Sequence, residues 1–77
     1  MFVYVLKSDR TGKHYIGHTS DLERRLKEHN VGHVKSTKIG SPWTIVAYKE
    51  FSSRAEARWV ERSLKISKEK FREFLGL

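Results

Sequence analysis

Five side chains of this sequence have the types and spacing for chemistry on a phosphate ester: Tyr4, Tyr15, Arg25, His29 and Glu61. Three of them fall in one segment, Tyr15 to Asn30, which reads YIGHTSDLERRLKEHN. A guanidinium such as that of Arg25 can hold a phosphate bidentately and offset the charge that develops during phosphodiester cleavage. Arg24 precedes it, but adjacent helical residues point about 100° apart, so only one of the two can face a common site. An imidazole at His29, four residues after Arg25 and on a neighbouring face, can donate to a phosphate oxygen or move a proton. Each residue also has a plainer account. Strand tyrosines pack their rings, helical arginines are mostly solvated, and a lone histidine is more often satisfied at a boundary.

Carboxylates are scarce in so basic a chain, and most have a local explanation. Asp9 suits a turn, Glu23 and Glu56 suit helix caps, and Asp21 suits the positive end of a helix dipole. Glu61 differs, because Ala57, Val60 and Leu64 set it at the edge of a buried stripe. There it either pairs with Lys65 at i,i+4 or holds a hard divalent cation whose other positions are filled by water and phosphate oxygens. The four histidines do not make a metal site. His14 and His18 share a strand face with Ile16 between them, and no Asp or Glu is spaced to complete a set with His29 and His33.

The elements that must position these groups are legible from periodicity. Phe2 to Leu6, apolar on both faces, predicts a strand near the middle of a sheet. Lys7 to Gly12 is a turn, and His14 to His18 returns as the second strand of a hairpin on which Tyr4 and Tyr15 could share a face, with the register left open. Ser20 with Glu23 has capping-box spacing, so a first helix is expected from about Asp21 to Asn30, ending near Gly32. Leu22 and Leu26 mark its buried stripe. His33 to Pro42 reads as a basic loop in which Lys35, Thr37 and Lys38 suit contacts to a phosphate backbone. Trp43 to Phe51 is a third strand, Ser53 and Glu56 cap a second helix, and Lys68 to Leu75 forms a last helical piece closing the core. Trp43 and Trp59 could stack on bases, but core positions are expected for both. The order is strand, strand, helix, strand, helix, helix, an α+β two-layer arrangement built on a small, mostly antiparallel sheet.

The 77 residues allow one small domain, residues 1–77, near the lower limit for folding without staples. With no cysteine, neither disulfides nor thiolate zinc can contribute. No apolar run approaches a membrane span, so a soluble, cytoplasmic protein is expected. Sixteen Lys and Arg against nine Asp and Glu leave a net charge of +7. That excess favours a polyanionic partner, nucleic acid first, over a membrane surface.

Taken together, the motifs resemble those of the GIY-YIG nuclease superfamily, and in particular its small bacterial single-domain members. Phe2-Val3-Tyr4 stands at the first motif, with Phe2 and Val3 in place of Gly and Ile, and Tyr15-Ile16-Gly17 is the second motif intact. Leu22, Arg25 and His29 lie at the family's offsets after Gly17. The helix from Ala55 to Lys65 is similar to the family's glutamate helix, with Glu61 at the metal position. An asparagine that many members carry after that helix has no counterpart in Ile66 to Lys70. The resemblance implies a three-stranded sheet flanked by helices and a metal-dependent endonuclease hydrolysing phosphodiester bonds in DNA, in repair or recombination, with one Mg2+ or Mn2+. By the same resemblance Tyr4, Tyr15, Arg25, His29 and Glu61 are catalytic, with Glu61 the metal ligand, Arg25 on the scissile phosphate and a tyrosine orienting or deprotonating the attacking water. Gly17, Arg24, Lys35, Thr37, Lys38 and Lys65 are then the expected nucleic-acid contacts, with DNA favoured over RNA and a protein partner supplying targeting. The alternatives are a non-catalytic nucleic-acid-binding module or an accessory subunit of a larger complex.

Overall fold

A computed structural model describes residues 1–77. Its elements are β1 (Phe2–Ser8), β2 (His14–Thr19), α1 (Leu22–Asn30), a 3₁₀ segment (Lys35–Gly40), β3 (Trp43–Glu50), α2 (Arg54–Ile66) and α3 (Lys68–Phe74). The strands form one antiparallel sheet in the order β2-β1-β3, so the apolar β1 is central as expected. Helices cover both faces. Val3, Ala57 and Leu64 form the core under α2 and α3, with Ile16, Val60 and Phe71 packed on it. Tyr4, Leu6 and Trp43 form the core on the other face, closed by Tyr15, Leu22, Leu26 and Ile45.

Alternation along β1 makes this division. Val3 and Val5 point to the α2 side while Tyr4 and Leu6 point to the α1 side, the period-2 pattern of a strand buried on both faces. Tyr4 pairs with Gly17 of β2, and Val3 with His18. Tyr4 and Tyr15 therefore do share a face, across the sheet from His18.

Three local expectations change. The N-cap of α1 is Asp21, not Ser20: its side chain accepts from the Arg24 amide at 3.1 Å, while Thr19 Oγ1 accepts from the Asp21 amide. A carboxylate one residue further on sits closer to the positive end of the helix and displaces the serine. The second box forms as expected, Ser53 Oγ accepting from the Glu56 amide, but Glu56 reaches back to the Ser52 amide. The stretch expected as a basic loop instead contains the 3₁₀ segment, tied down by Trp43 Nε1 donating to Thr37 O at 2.8 Å and Ser8 Oγ donating to Gly40 O. Asn30, the last residue of α1, clamps the start of β3 by accepting from Trp43 N and donating to Trp43 O. Gly32, at φ +84°, turns the chain out of α1 near the expected stop.

Trp43 is core as expected, whereas Trp59 is 66% exposed. Ala57, Val60 and Leu64 occupy the inward face of α2, and Trp59 falls about 100° away from Val60 on the flank.

Candidate active site

The α1 side of the sheet holds a chain of hydrogen bonds. The Tyr4 hydroxyl lies 2.9 Å from His29 Nε2, and His29 Nδ1 lies 2.7 Å from Thr37 Oγ1. Thr37 Oγ1 donates in turn to the Val34 carbonyl. A hydroxyl with its proton committed to a carbonyl must accept from its other neighbour, so Nδ1 of His29 carries the proton and Nε2 accepts from Tyr4. His29 is fully buried. Burial, and then the positive charge of Arg25, push its pKa down to about 4, so the ring is neutral at physiological pH. Burial pushes the Tyr4 hydroxyl up to about 12, partly opposed by Arg25.

Tyr15 packs its ring edge-on against His29, with centroids 4.9 Å apart, and lies 6.4 Å from the ring of Tyr4. No side-chain oxygen or nitrogen is buried without a partner. The Tyr15 hydroxyl, which makes no hydrogen bond within the protein, therefore opens to solvent. Gly17 makes this packing possible. A Cβ there would stand 2.6 Å from the Tyr4 hydroxyl oxygen and 2.8 Å from its ring carbon, so only a glycine lets Tyr4 reach His29.

Of the two arginines, Arg25 faces the site. Its side chain is 34% exposed against 63% for Arg24. The Tyr4 hydroxyl, and after it Glu28, strengthens its charged form against the opposing effect of burial. Nη1 donates to Glu28 Oε1 at 3.1 Å, which holds the fork while leaving other donors free.

Glu61 lies on the opposite side of the sheet. His18 Nδ1 is 2.5 Å from its Oε1, and Lys65 Nζ is 2.7 Å from its Oε2. Burial works to raise the carboxyl pKa, but the bonds from His18 and then Lys65 outweigh it and hold the group below the usual carboxylate range. Glu61 opens into a shallow cavity of about 230 Å³ lined by His18, Arg58, Glu61, Arg62 and Lys65. Its charge acts on Tyr4 from across the sheet. The two halves of the site thus meet at the β2 edge, where Gly17 faces Tyr4 and its neighbour His18 faces Glu61.

A single ionised carboxylate fits Mg2+ or Mn2+, which bind through one or two carboxylates and keep water and phosphate oxygens for the remaining positions. No cluster of three or more His, Asp or Glu forms an all-protein cage. The Lys65 ammonium is the group a cation would displace from Oε2.

The expected nucleic-acid contacts separate. Lys35, Lys38 and Lys65 are exposed. Thr37, 1% exposed, is out of reach of a phosphate and serves to orient His29. Gly17 is buried against Tyr4. Arg24 stands on the outer face of α1, 4.0 Å from Glu28. His18 and Thr37 are the positioning residues that pattern reading did not assign. For His18 the available signal was its alternation with Ile16, which sets it toward α2.

The α1 side thus holds a buried Tyr–His–Thr chain beside Arg25, and the α2 side holds the Glu61 carboxylate. The chain belongs to the GIY-YIG family: residues 1–73 match its model, the GIY-YIG catalytic domain. Among its relatives, a UPF0213 protein of Halalkalibacterium halodurans is 35% identical over 78 residues, covering 99% of this chain and 82% of that protein. A UPF0213 protein of Streptococcus pneumoniae is 40% identical over 68 residues, 87% of this chain and 68% of that one. The structure-specific endonuclease subunit slx1 of Schizosaccharomyces pombe is 52% identical over 48 residues, 54% of this chain but only 18% of its own length. No solved structure matches. No helix is long and apolar enough to cross a membrane.

Proposed function

We propose that this protein is a divalent-metal-dependent endonuclease that hydrolyses phosphodiester bonds in DNA, with branched or otherwise non-duplex forms as substrates in repair or recombination. The observation that carries the reading is the buried Tyr4–His29–Thr37 chain, in which His29 Nε2 stands as a proton acceptor for Tyr4. Pure phosphate binding needs the lysines and arginines; it needs neither a buried neutral imidazole nor Glu61, which repels phosphate.

In this reading Arg25 binds the non-bridging oxygens of the scissile phosphate. The solvent-facing Tyr15 hydroxyl orients the attacking water. Tyr4, with a hydroxyl pKa near 12, is not a phenolate in the resting site. It acts as a relay: the water proton passes to the Tyr4 oxygen as the Tyr4 proton passes to His29 Nε2. The water oxygen bonds to phosphorus, the bond to the leaving ester oxygen breaks, and that oxygen takes a proton from solvent. Burial is the main cause of the lowered His29 pKa and the Arg25 charge the second. A phosphate on Arg25 offsets that second contribution and makes Nε2 a better acceptor once substrate is bound. A Mg2+ or Mn2+ on Glu61 would supply further stabilisation of the charge developing on the phosphate. His18 keeps Glu61 oriented and ionised for that role.

The test is nicking of supercoiled plasmid and cleavage of branched DNA with Mg2+ or Mn2+, comparing wild type with Glu61→Ala and Arg25→Ala. Both substitutions are expected to abolish cleavage while the folded state persists. Equal cleavage by Glu61→Ala would sink the mechanism, and binding without cleavage by every form would leave a non-catalytic DNA-binding module.

A further inference from the structure

Helix α2 presents three different surfaces around its axis. Ala57, Val60 and Leu64 point into the sheet. Glu61 and Lys65 lie on one flank, toward His18 and the active site. Trp59 lies on the other flank, and Arg58 and Arg62, four apart and both exposed, occupy the outer face between the flanks. The surface depressions run in the same order. The Glu61 cavity shares Arg58 and Arg62 with a second one lined by Ala55, Arg58, Trp59 and Arg62. That second cavity shares Trp59 with the largest on the molecule, about 400 Å³, which lies where α2, α3 and β3 meet. Lys49, Lys70, Val60 and Phe74 line this last groove, with Glu73 the one acidic residue in it.

Trp59 is anomalous as a core residue, since 66% of it is exposed in a domain short of core volume. The Lys70 ammonium stands 5.5 Å from the centre of its ring. An exposed indole flanked by cations is the composition of a nucleic-acid stacking platform, where the ring takes a base and the cations take the neighbouring phosphates.

We propose that the outer face of α2 is a track for an unpaired DNA strand that leaves the cleavage site, crosses Arg58 and Arg62, and stacks a base on Trp59 beside Lys49 and Lys70. The occupant is single-stranded nucleic acid rather than an apolar partner because the path joins the active site without a break and its charge is almost wholly positive. A helix with its side chains is about 10–12 Å across, so a strand of a few nucleotides spans the distance. The proposal deepens the nuclease reading and rests on it: a substrate with an unpaired arm would be gripped on both sides of Glu61.

Binding in EDTA, where cleavage cannot proceed, separates this inference from the catalytic one. Fluorescence anisotropy of a labelled oligo-dT and of a blunt duplex of equal length would be measured with wild type, Trp59→Leu and Trp59→Phe. Trp59→Leu is expected to weaken oligo-dT binding about tenfold, the scale of one lost base stack, and to change duplex binding less than twofold. Trp59→Phe should restore most of the affinity, because a phenyl ring stacks and leucine does not. Wild-type tryptophan emission should quench on binding oligo-dT. In Trp59→Phe, where buried Trp43 is the remaining indole, the quench should vanish although binding persists. Equal oligo-dT affinity in all three proteins would overturn the track and assign the surface to another occupant, a protein among them, with the nuclease reading intact. Failure of all three to bind any DNA would also overturn the track, while nicking with Mg2+ or Mn2+ still decides the nuclease reading.

Discussion

The neutral buried histidine gives the most direct physical test of the site. Lowering the pH from 7 to 5 should destabilise the protein through His29 alone by about 2 kcal/mol. The figure follows from the two states. Unfolded, the imidazole titrates at its ordinary pKa near 6.5, whereas folded it titrates at about 4. Between these values the unfolded chain binds a proton that the folded one refuses, so stability rises with pH in that window and falls as pH drops through it. Below about 4 both states are protonated and the loss is complete, at about 3 kcal/mol. In a domain of this size 2 kcal/mol corresponds to a drop in Tm of roughly 8–16 °C. Glu61 does not confuse the measurement in the upper half of the window. Its depressed pKa contributes stability that is present above the unfolded carboxyl pKa and lost as pH falls below it. The assay is urea unfolding at pH 7, 6 and 5 for wild type and His29→Gln, with the His29 ring followed by NMR in the wild type. The variant will be less stable at pH 7, but the difference between the proteins should shrink by about 2 kcal/mol on going to pH 5. A constant difference, or a His29 ring that titrates near 6.5, would refute the neutral acceptor and with it the Tyr4 relay.

Two substitutions probe the same chain from its other members. Tyr4→Phe keeps the ring but leaves buried His29 Nε2 without a donor, which should cost about 1–3 kcal/mol in urea unfolding and lower the cleavage rate by about 10²-fold or more. Unchanged cleavage would remove Tyr4 from the proton path. Gly17→Ala drives a methyl into the Tyr4 hydroxyl and should cost about 1–3 kcal/mol from overpacking, with cleavage lost more steeply than stability because the Tyr4–His29 bond is broken. Full activity in a stable Gly17→Ala protein would show that the close approach is dispensable.

Most of the architecture was legible because its signals are local. The two-sided apolar run of β1 identified the central strand, and the spacing of Ala57, Val60 and Leu64 identified the buried face of α2. Arg25 could be separated from Arg24 only as one of two alternatives, since the choice depends on which helix face meets the sheet. The role of Thr37 was hidden for another reason. A hydroxyl in a lysine-rich stretch looks like a phosphate contact until a 3₁₀ turn brings it back against α1. Trp59 departs from the expected core position because composition argues for burying tryptophan in a small domain, while the helical period assigns it to a flank. The period won, as it does wherever smaller residues already fill the inward stripe.

The site's dependence on strand alternation explains why an edge strand can serve two chemistries at once. Gly17 and His18 are neighbours, yet one makes room for Tyr4 on the α1 side while the other holds Glu61 on the α2 side. A slip of one residue in the β1–β2 register would exchange them, putting an imidazole against Tyr4 and a glycine against Glu61. The hairpin turn and the two cores resist that slip together, since it would also turn Ile16 out of one core and Tyr15 out of the other. His29 bonds to Tyr4 and Thr37 on one side of the sheet, while Glu61 bonds to His18 and Lys65 on the other. Had His29 and Glu61 shared a face, the carboxylate would have held a proton on the imidazole, and neither a neutral acceptor nor a free ligand for a cation would survive.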